Sequence, residues 1–345
     1  MTRVLVTTLP KAGTHYANLL MPRFGFERHF CQLGHLTTGV ISSDPEICGQ
    51  SSEELANIIG DLPDNTFVLD HVPYRKRLMY ELEKRNIRVV AMVRNIYDFV
   101  VSLSHHLRRE PEADTPVEFS PHELQHWICT HAPADENGNV MPPIAKRYAS
   151  HIGGWASDER AFFLRFEDVI GPRGGGLFSD QLATGLRLRD FLGVDMNNAD
   201  VARGLITSFR PGASLFRRGQ IGGWRQEMAA NTAEQIRLGY SRFLEAWGYT
   251  LDGDVVQHAN ARPGMLEEMD LAVAGLVDDN VHLRTKVQRL CAELGQDDPE
   301  AAQIAAEEAE IAREVEEIAA EDTEADETTE DIESPPLVRA SGAAE

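Results

Sequence analysis

The chain has 345 residues, 42% of them hydrophobic, and a formal net charge of −22. That is apolar material enough for one large domain or two, and the absence of any apolar run near the length of a membrane span excludes a transmembrane helix. Four scattered cysteines (Cys31, Cys48, Cys129, Cys291), none in CxxC spacing, and no signal-peptide pattern argue against a disulfide framework or a cysteine metal cluster and fit a cytoplasmic protein. The charge is unevenly spread. Between Asp297 and Glu345, eighteen acidic residues face only Arg313 and Arg339; this gives −16 and leaves −6 for the first 296 residues. Such a tail favours solubility and opposes nucleic-acid binding.

Taken in order, Val4–Thr8 is β-rich, Pro10, Lys11 and Gly13 form a loop, and an apolar helix-like run follows from Tyr16 to Leu20. A strand, a glycine-containing loop and a helix start form an arrangement that holds anions, because the first amides of a helix lack intrahelical acceptors. Lys11 adds a full charge. The order is not that of a Walker A loop: Lys11 precedes Gly13, and Ala12 cannot ligate a metal, so the loop predicts phosphate binding with no metal required. The chain is irregular through Gln50. Ser51–Ile59 is predicted helical with Ser52 as N-cap, Phe67–Asp70 a strand, and Arg75–Arg85 a helix. Ile87–Val93 is nearly all apolar, as in a strand buried on both faces, and Ile96–Arg108 is helical. Residues 110–140 carry no clear period. Phe162–Phe166 is a further strand; Gln181–Phe191, Ala199–Leu205 and Thr232–Trp247, the last capped by Asn231, are helices; Arg210–Trp224, rich in Gly and Arg, is a loop.

Strands alternating with helices predict an α/β fold, a P-loop-like, mainly parallel sheet flanked by helices. Ligands of such sheets sit beyond the carboxyl ends of the strands. Three strands end in chemically able loops there: Pro10–Thr14, His71-Val72-Pro73 and Arg94-Asn95.

Those loops resemble the motifs of the PAPS-dependent sulfotransferases (PAPS is 3′-phosphoadenosine 5′-phosphosulfate), over roughly residues 2–251. Thr8–Tyr16 is similar to the family's 5′-phosphosulfate loop T-x-P-K-S-G-T-T-W; Lys11, Gly13 and Thr14 match, while Ala12, His15 and Tyr16 replace Ser, Thr and the Trp that stacks near adenine. Arg94–Ser102 is similar to the 3′-phosphate motif R-N-x-x-D-x-x-x-S. Leu69–Pro73 resembles K-T-H-x-P, whose His is the family's base; His71 and Pro73 match and Leu69 departs. Arg165–Asp168 is similar to a Y-E-D segment, with Phe166 in place of an adenine-side Tyr, and Thr207-Ser208-Phe209 to an adenine-contacting T-S-F. Phe216–Arg225 resembles the R-K-G-x-x-G-x-W-K lid, in which Arg217, Arg218 and Gly219 grip the 3′-phosphate; seven residues separate Phe209 from Arg217, which implies a short lid.

The resemblance implies sulfuryl transfer from PAPS as co-substrate to a hydroxyl or amine acceptor. His71 takes the acceptor's proton, and Lys11 stabilises the oxygen bridging sulfur and the 5′-phosphate. Thr14, His15 and Tyr16 hold that phosphate; Arg94, Ser102, Arg217 and Arg218 hold the 3′-phosphate. His122, His126, Cys129 and His131 have a metal-like look, but a structural role on the acceptor side is preferred.

From about residue 264 the pattern changes. Leu266, Val273, Asn280, Val287 and Leu294 recur every seven residues, with Met269, Leu276, Leu283 and Leu290 offset by three. These are a and d positions, and one Asn at a with Val at a and Leu at d favours a parallel dimer. The division predicted is a sulfotransferase domain over 1–252, a coiled-coil helix over 264–296 and an acidic tail over 297–345, partly helical and then disordered. Two other readings stay open: an inactive sulfotransferase-fold scaffold organised by the coiled coil, and a nucleotide kinase.

Overall fold

The computed structural model describes residues 2–30, 51–111, 115–133, 140, 142–210 and 218–256. All belong to the first of the two units into which the chain divides, Met1–Ala272. Arg217, the heptads of 264–296 and the acidic segment 297–345 lie outside the described residues.

Five strands form one parallel sheet: β1 (Arg3–Thr8), β2 (Glu27–Arg28), β3 (Thr66–Asp70), β4 (Ile87–Val93) and β5 (Ala161–Arg165), in the order β2-β3-β1-β4-β5. Leu5 of β1 is level with Val68 of β3 and Val89 of β4. Helices lie between and after them in the chain: α1 (Thr14–Arg23), α2 (Ser52–Gly60), α3 (Lys76–Lys84), α4 (Ile96–Arg109), α5 (Pro121–Thr130), α6 (Ile144–Ala156), α7 (Phe178–Leu192), α8 (Asn198–Thr207), α9 (Trp224–Glu227), α10 (Ala230–Gly239) and α11 (Ser241–Ala246). β4 is buried except at Arg88, which explains its unbroken apolar run. The core joins Leu5, Val89 and Ala91 of the sheet to Phe99, Ile152 and Trp155 of α4 and α6.

The chain leaves β1 towards β2 at one edge and leaves β4 towards β5 at the other, so the onward connections diverge between β1 and β4. A crevice at the carboxyl ends of the strands belongs at such a divergence. The segment after α11 folds back on this end, with Tyr249 buried and the Tyr97 hydroxyl donating to Leu251 O at 2.5 Å.

Three details differ from expectation. The cap of α2 is Ser51, not Ser52, because Glu54 stands three residues on and closes a capping box with it. The single helix expected over Thr232–Trp247 is two, α10 and α11, broken at Tyr240, whose buried ring packs inward while its hydroxyl donates to Cys129 O at 3.0 Å. Its start lies at Ala229, so Asn231 sits inside the first turn and caps nothing. The helix α6 had no sequence signal, since Gly153-Gly154 argues against a helix. Gly154 is there for packing: a Cβ would stand 2.2 Å from Tyr74 Cδ1, and Tyr74 meets Trp155 edge-on at 5.1 Å.

Candidate active site

The parallel order β3-β1-β4-β5 sets four strand ends side by side, and with them His71, the Leu9–Gly13 loop, Arg94 and Phe166. The loop is pinned by two backbone bonds, Leu9 N–H to Met92 O at 2.8 Å and Ala12 N–H to Leu9 O at 3.0 Å. Between them Lys11 takes a left-handed φ of 63°, a conformation that costs a non-glycine residue and persists where its surroundings fix it. Gly13 has φ 98°, and a Cβ there would stand 2.7 Å from Phe166 Cδ2 and 2.8 Å from Met92 Cε, so only glycine fits.

Gly13 is also the N-cap of α1 and offers no side-chain acceptor. The first helical bond is Ala17 N–H to Gly13 O, which leaves the amides of Thr14, His15 and Tyr16 at an uncapped helix start. Lys11 is partly buried and makes no ion pair with a described residue; burial, then the Arg109 charge, lowers its pKa, opposed by Glu110. The pKa values of His15 and His106 also fall, through burial first and the Lys11 charge second. The positive charge felt at the loop comes from Lys11, Arg109 and Arg28, which favours an anion there, while both histidines are held in the neutral form.

His71 is held by Thr8. Its Nδ1 lies 2.6 Å from Thr8 O and 3.1 Å from Thr8 Oγ1, and Thr8 Oγ1 reaches Thr14 Oγ1 at 2.8 Å. A carbonyl can only accept, so Nδ1 carries the hydrogen and Nε2 keeps the lone pair. Burial lowers the pKa of His71, against the Thr8 hydrogen bond and the Asp70 charge, which raise it. A neutral imidazole with a directed Nε2 is what a general base needs.

Arg94 is 7% exposed. Its Nη2 donates to Gln220 O at 2.6 Å, its guanidinium lies 4.5 Å over the Phe166 ring, and its Nε is buried without a partner. A buried orphan donor on a fixed guanidinium fits an anion such as phosphate. Ser102, two turns into α4, is buried as well. Phe166 thus fills the space between Gly13 and Arg94 and backs both the loop and the guanidinium.

Other predicted residues are placed differently. The Tyr16 ring is buried and its hydroxyl donates to Leu205 O at 3.1 Å, tying α1 to α8. The Thr207 hydroxyl donates back to Arg203 O at 2.8 Å in the last turn of α8, and Phe209 lies buried under Arg173. Arg218 lies on the exposed crossing segment, where Nη1 meets Glu227 Oε1 at 3.0 Å; Gly219 has φ 61°.

Two motif residues that were given no role of their own, Asn95 and Glu167, support the site together with Tyr249. Glu167, fully buried, accepts from Asn95 N–H at 3.0 Å and from the Tyr249 hydroxyl at 2.6 Å. Burial raises its pKa, with Arg94 the first opposing charge. It fixes the β4–α4 turn that carries Arg94. Asn95 and Glu167 stand in two of the quoted motifs and Tyr249 in none, and no spacing rule joins the three into one contact.

Among the described residues no cluster of three or more His, Cys, Asp or Glu side chains could hold a metal. His122, His126 and His131 line a groove of about 600 Å³ with Phe119, Trp127 and Asn231, on α5 and α10. Cys129 is buried behind it, and burial raises its thiol pKa. Neither Lys11, His71 nor Arg94 lines this groove.

A parallel α/β sheet with an uncapped helix start, a tautomer-fixed histidine and a buried arginine at one edge defines a protein that handles anionic nucleotides. The family model for the sulfotransferase domain matches residues 1–248. The chain belongs to the sulfotransferase family, the PAPS-dependent group whose motifs it carries. Similar solved structures include mouse sulfotransferase SULT7A1 complexed with PAP, at 16% identity and a TM-score of 0.45 over 71% of this chain and 85% of that one. Retinol dehydratase in complex with androsterone and inactive cofactor PAP matches at 16% identity and a TM-score of 0.45, over 70% of this chain and 80% of that one. No curated protein matches the sequence.

Proposed function

We propose that this sulfotransferase moves a sulfuryl group from PAPS to a hydroxyl or amine acceptor, with His71 as general base and Lys11 stabilising the leaving group. His71 Nε2 takes the acceptor's proton as the acceptor's oxygen or nitrogen bonds to sulfur. The bond from sulfur to the bridging oxygen breaks, and charge appears on the 5′-phosphate of 3′-phosphoadenosine 5′-phosphate (PAP). Lys11 and the amides of Thr14, His15 and Tyr16 face that charge. Arg94, with its unpartnered Nε, Ser102 and Arg218 hold the 3′-phosphate; Arg217 and Gly219 join them, while Ala12, Phe166, Thr207 and Phe209 shape the nucleotide's bed.

The observation that carries this reading is the Thr8 carbonyl on His71 Nδ1 at 2.6 Å, which turns Nε2 into an acceptor beside the Lys11 loop. No described helix is long and apolar enough to cross a membrane. The protein works as a cytoplasmic homodimer paired through 264–296, with no metal in the step.

The test is calorimetric titration, without magnesium, of PAP beside AMP and ATP. Micromolar PAP binding that AMP does not match, and that Arg94→Ala loses, is the expected result. No PAP binding, or ATP binding only with magnesium, overturns the reading and favours a kinase.

A further inference from the structure

The segment that carries Arg218 and Gly219 crosses the carboxyl end of the sheet as loop and one short helix; no residue of α9 is buried, and Trp224 is only partly buried against the core. On one side Gln220 Nε2 donates to Arg173 O at 2.8 Å and Ile221 N–H to Gly174 O at 2.9 Å; on the other a carboxylate holds it. Asp98 is 2% exposed in the first turn of α4. Its Oδ2 accepts from Gly222 N–H at 2.8 Å and its Oδ1 from Trp224 N–H at 3.0 Å. Both oxygens are thus bound to backbone amides of a segment more than a hundred residues away. The neighbouring Tyr97 stacks on Trp224 with ring centroids 4.3 Å apart. Arg94 donates to Gln220 O. Residues 94, 97 and 98 of the β4–α4 junction therefore hold 220, 222 and 224 of the crossing segment.

The same carboxylate is the nearest anion to Arg94, yet Arg94 Nη2 stands 4.0 Å from Asp98 Oδ2, beyond hydrogen-bond reach. Occupied by two amides, Asp98 does not close on the guanidinium, whose Nε stays unpartnered. A buried carboxylate accepting two amide hydrogen bonds at a helix N-terminus is in a strongly favourable place.

We propose that Asp98 is a positioning residue for the donor: it latches residues 218–225 over Arg94, so that Arg94 and Arg218 face one 3′-phosphate. This rests on the donor reading above. Losing one acceptor from Asp98 frees the amides of Gly222 or Trp224, and the segment swings away from Arg94. The pocket for the adenosine 5′-phosphate, built on β1 and α1, is untouched. The loss therefore falls on nucleotides with a 3′-phosphate and spares those without.

The experiment titrates PAP and AMP into full-length wild type, Asp98→Asn and Asp98→Ala, with limited trypsin digestion beside it. In Asp98→Asn, PAP affinity is expected to fall ~10-fold, the effect of one hydrogen bond to a charged group, with AMP affinity within twofold of wild type. Trypsin cuts faster after Arg218 and Arg225. Asp98→Ala exaggerates both effects. If Asp98→Ala does not fold, Trp224→Ala, which removes the Tyr97 stack and leaves Asp98 and Arg94 in place, carries the same expectation. A wild type that binds PAP and AMP equally overturns the donor reading beneath the proposal. A wild-type preference for PAP that persists unchanged in Asp98→Asn, or PAP and AMP affinities that fall together, overturns the latch alone.

Discussion

At the scale of single residues, the site is built from constraints that each suit one side chain. Gly13 has both a left-handed φ and no room for a methyl group beside Phe166. Gly13→Ala is expected to destabilise the fold by ~2 kcal/mol, through backbone strain and overpacking, and to weaken PAP binding; thermal melts with and without PAP check both effects. His71→Ala is expected to lower sulfuryl transfer from radiolabelled PAPS by ~10²–10⁴-fold while PAP affinity stays within twofold, because His71 acts on the acceptor. The pH profile of transfer follows from two lowered pKa values. The acid limb lies below the ordinary histidine value of 6.5, since His71 must be neutral, and the alkaline limb below the ordinary lysine value of 10.5, since Lys11 must be charged. An acid limb above 6.5 would rule out a desolvated His71 as the base. The placement of Lys11, Gly13, His71 and Arg94 beyond the strand ends was legible in the sequence, because each follows an apolar run at a motif spacing. The contacts of Glu167 with Asn95 and Tyr249, and of Asp98 with Gly222 and Trp224, were not, because these partners come together only through the fold.

At the scale of elements, local signals placed most strands and helices within a residue or two, and failed where packing overrides propensity. The run Ile87–Val93 was read to its ends because a strand buried on both faces has no polar residue to blur it. For α5, the capping box of Ser120 and Glu123 with Pro121 between them was present in sequence, but the residues beyond it have no clean apolar period. The helix α6 was invisible behind its glycine pair, and it carries a testable charge. His151 is 9% exposed on α6, with an unpartnered Nδ1, and burial, helped by Arg147 and Arg75, lowers its pKa to about 4. In the unfolded chain it titrates at the ordinary 6.5. Between these values the unfolded state binds the extra proton, so stability falls as pH drops from 6.5 towards 4 and is not lost further below. The shift corresponds to at most ~3 kcal/mol. His151→Gln is expected to flatten that part of the stability curve in urea melts at pH 4, 5, 6 and 7; an unchanged slope would assign the acid sensitivity to other groups.

At the scale of the whole molecule, the alternation of strands and helices implied a parallel sheet with its ligand edge at the carboxyl ends, and β2-β3-β1-β4-β5 is such a sheet. The strand order itself was not legible, since β2 is two residues long and gives no pattern. That order brings Lys11, His71, Arg94, Ser102 and Phe166 to one edge from a single chain, so nothing among them calls for a second subunit. The heptads of 264–296 predict a dimer all the same. Leu276 and Leu283 are successive d positions, each worth ~1.5–3 kcal/mol when buried. Replacing both with Glu removes that gain in each chain and sets unpaired charges in the seam, which costs more again. Full-length wild type is therefore expected to sediment as a dimer, and Leu276→Glu with Leu283→Glu as a monomer whose PAP affinity lies within twofold of wild type. A monomeric wild type would refute the coiled-coil pairing. A PAP affinity that falls with dimer loss would instead mean that the second chain completes the donor site, and that the site is not the work of one chain's strand ends.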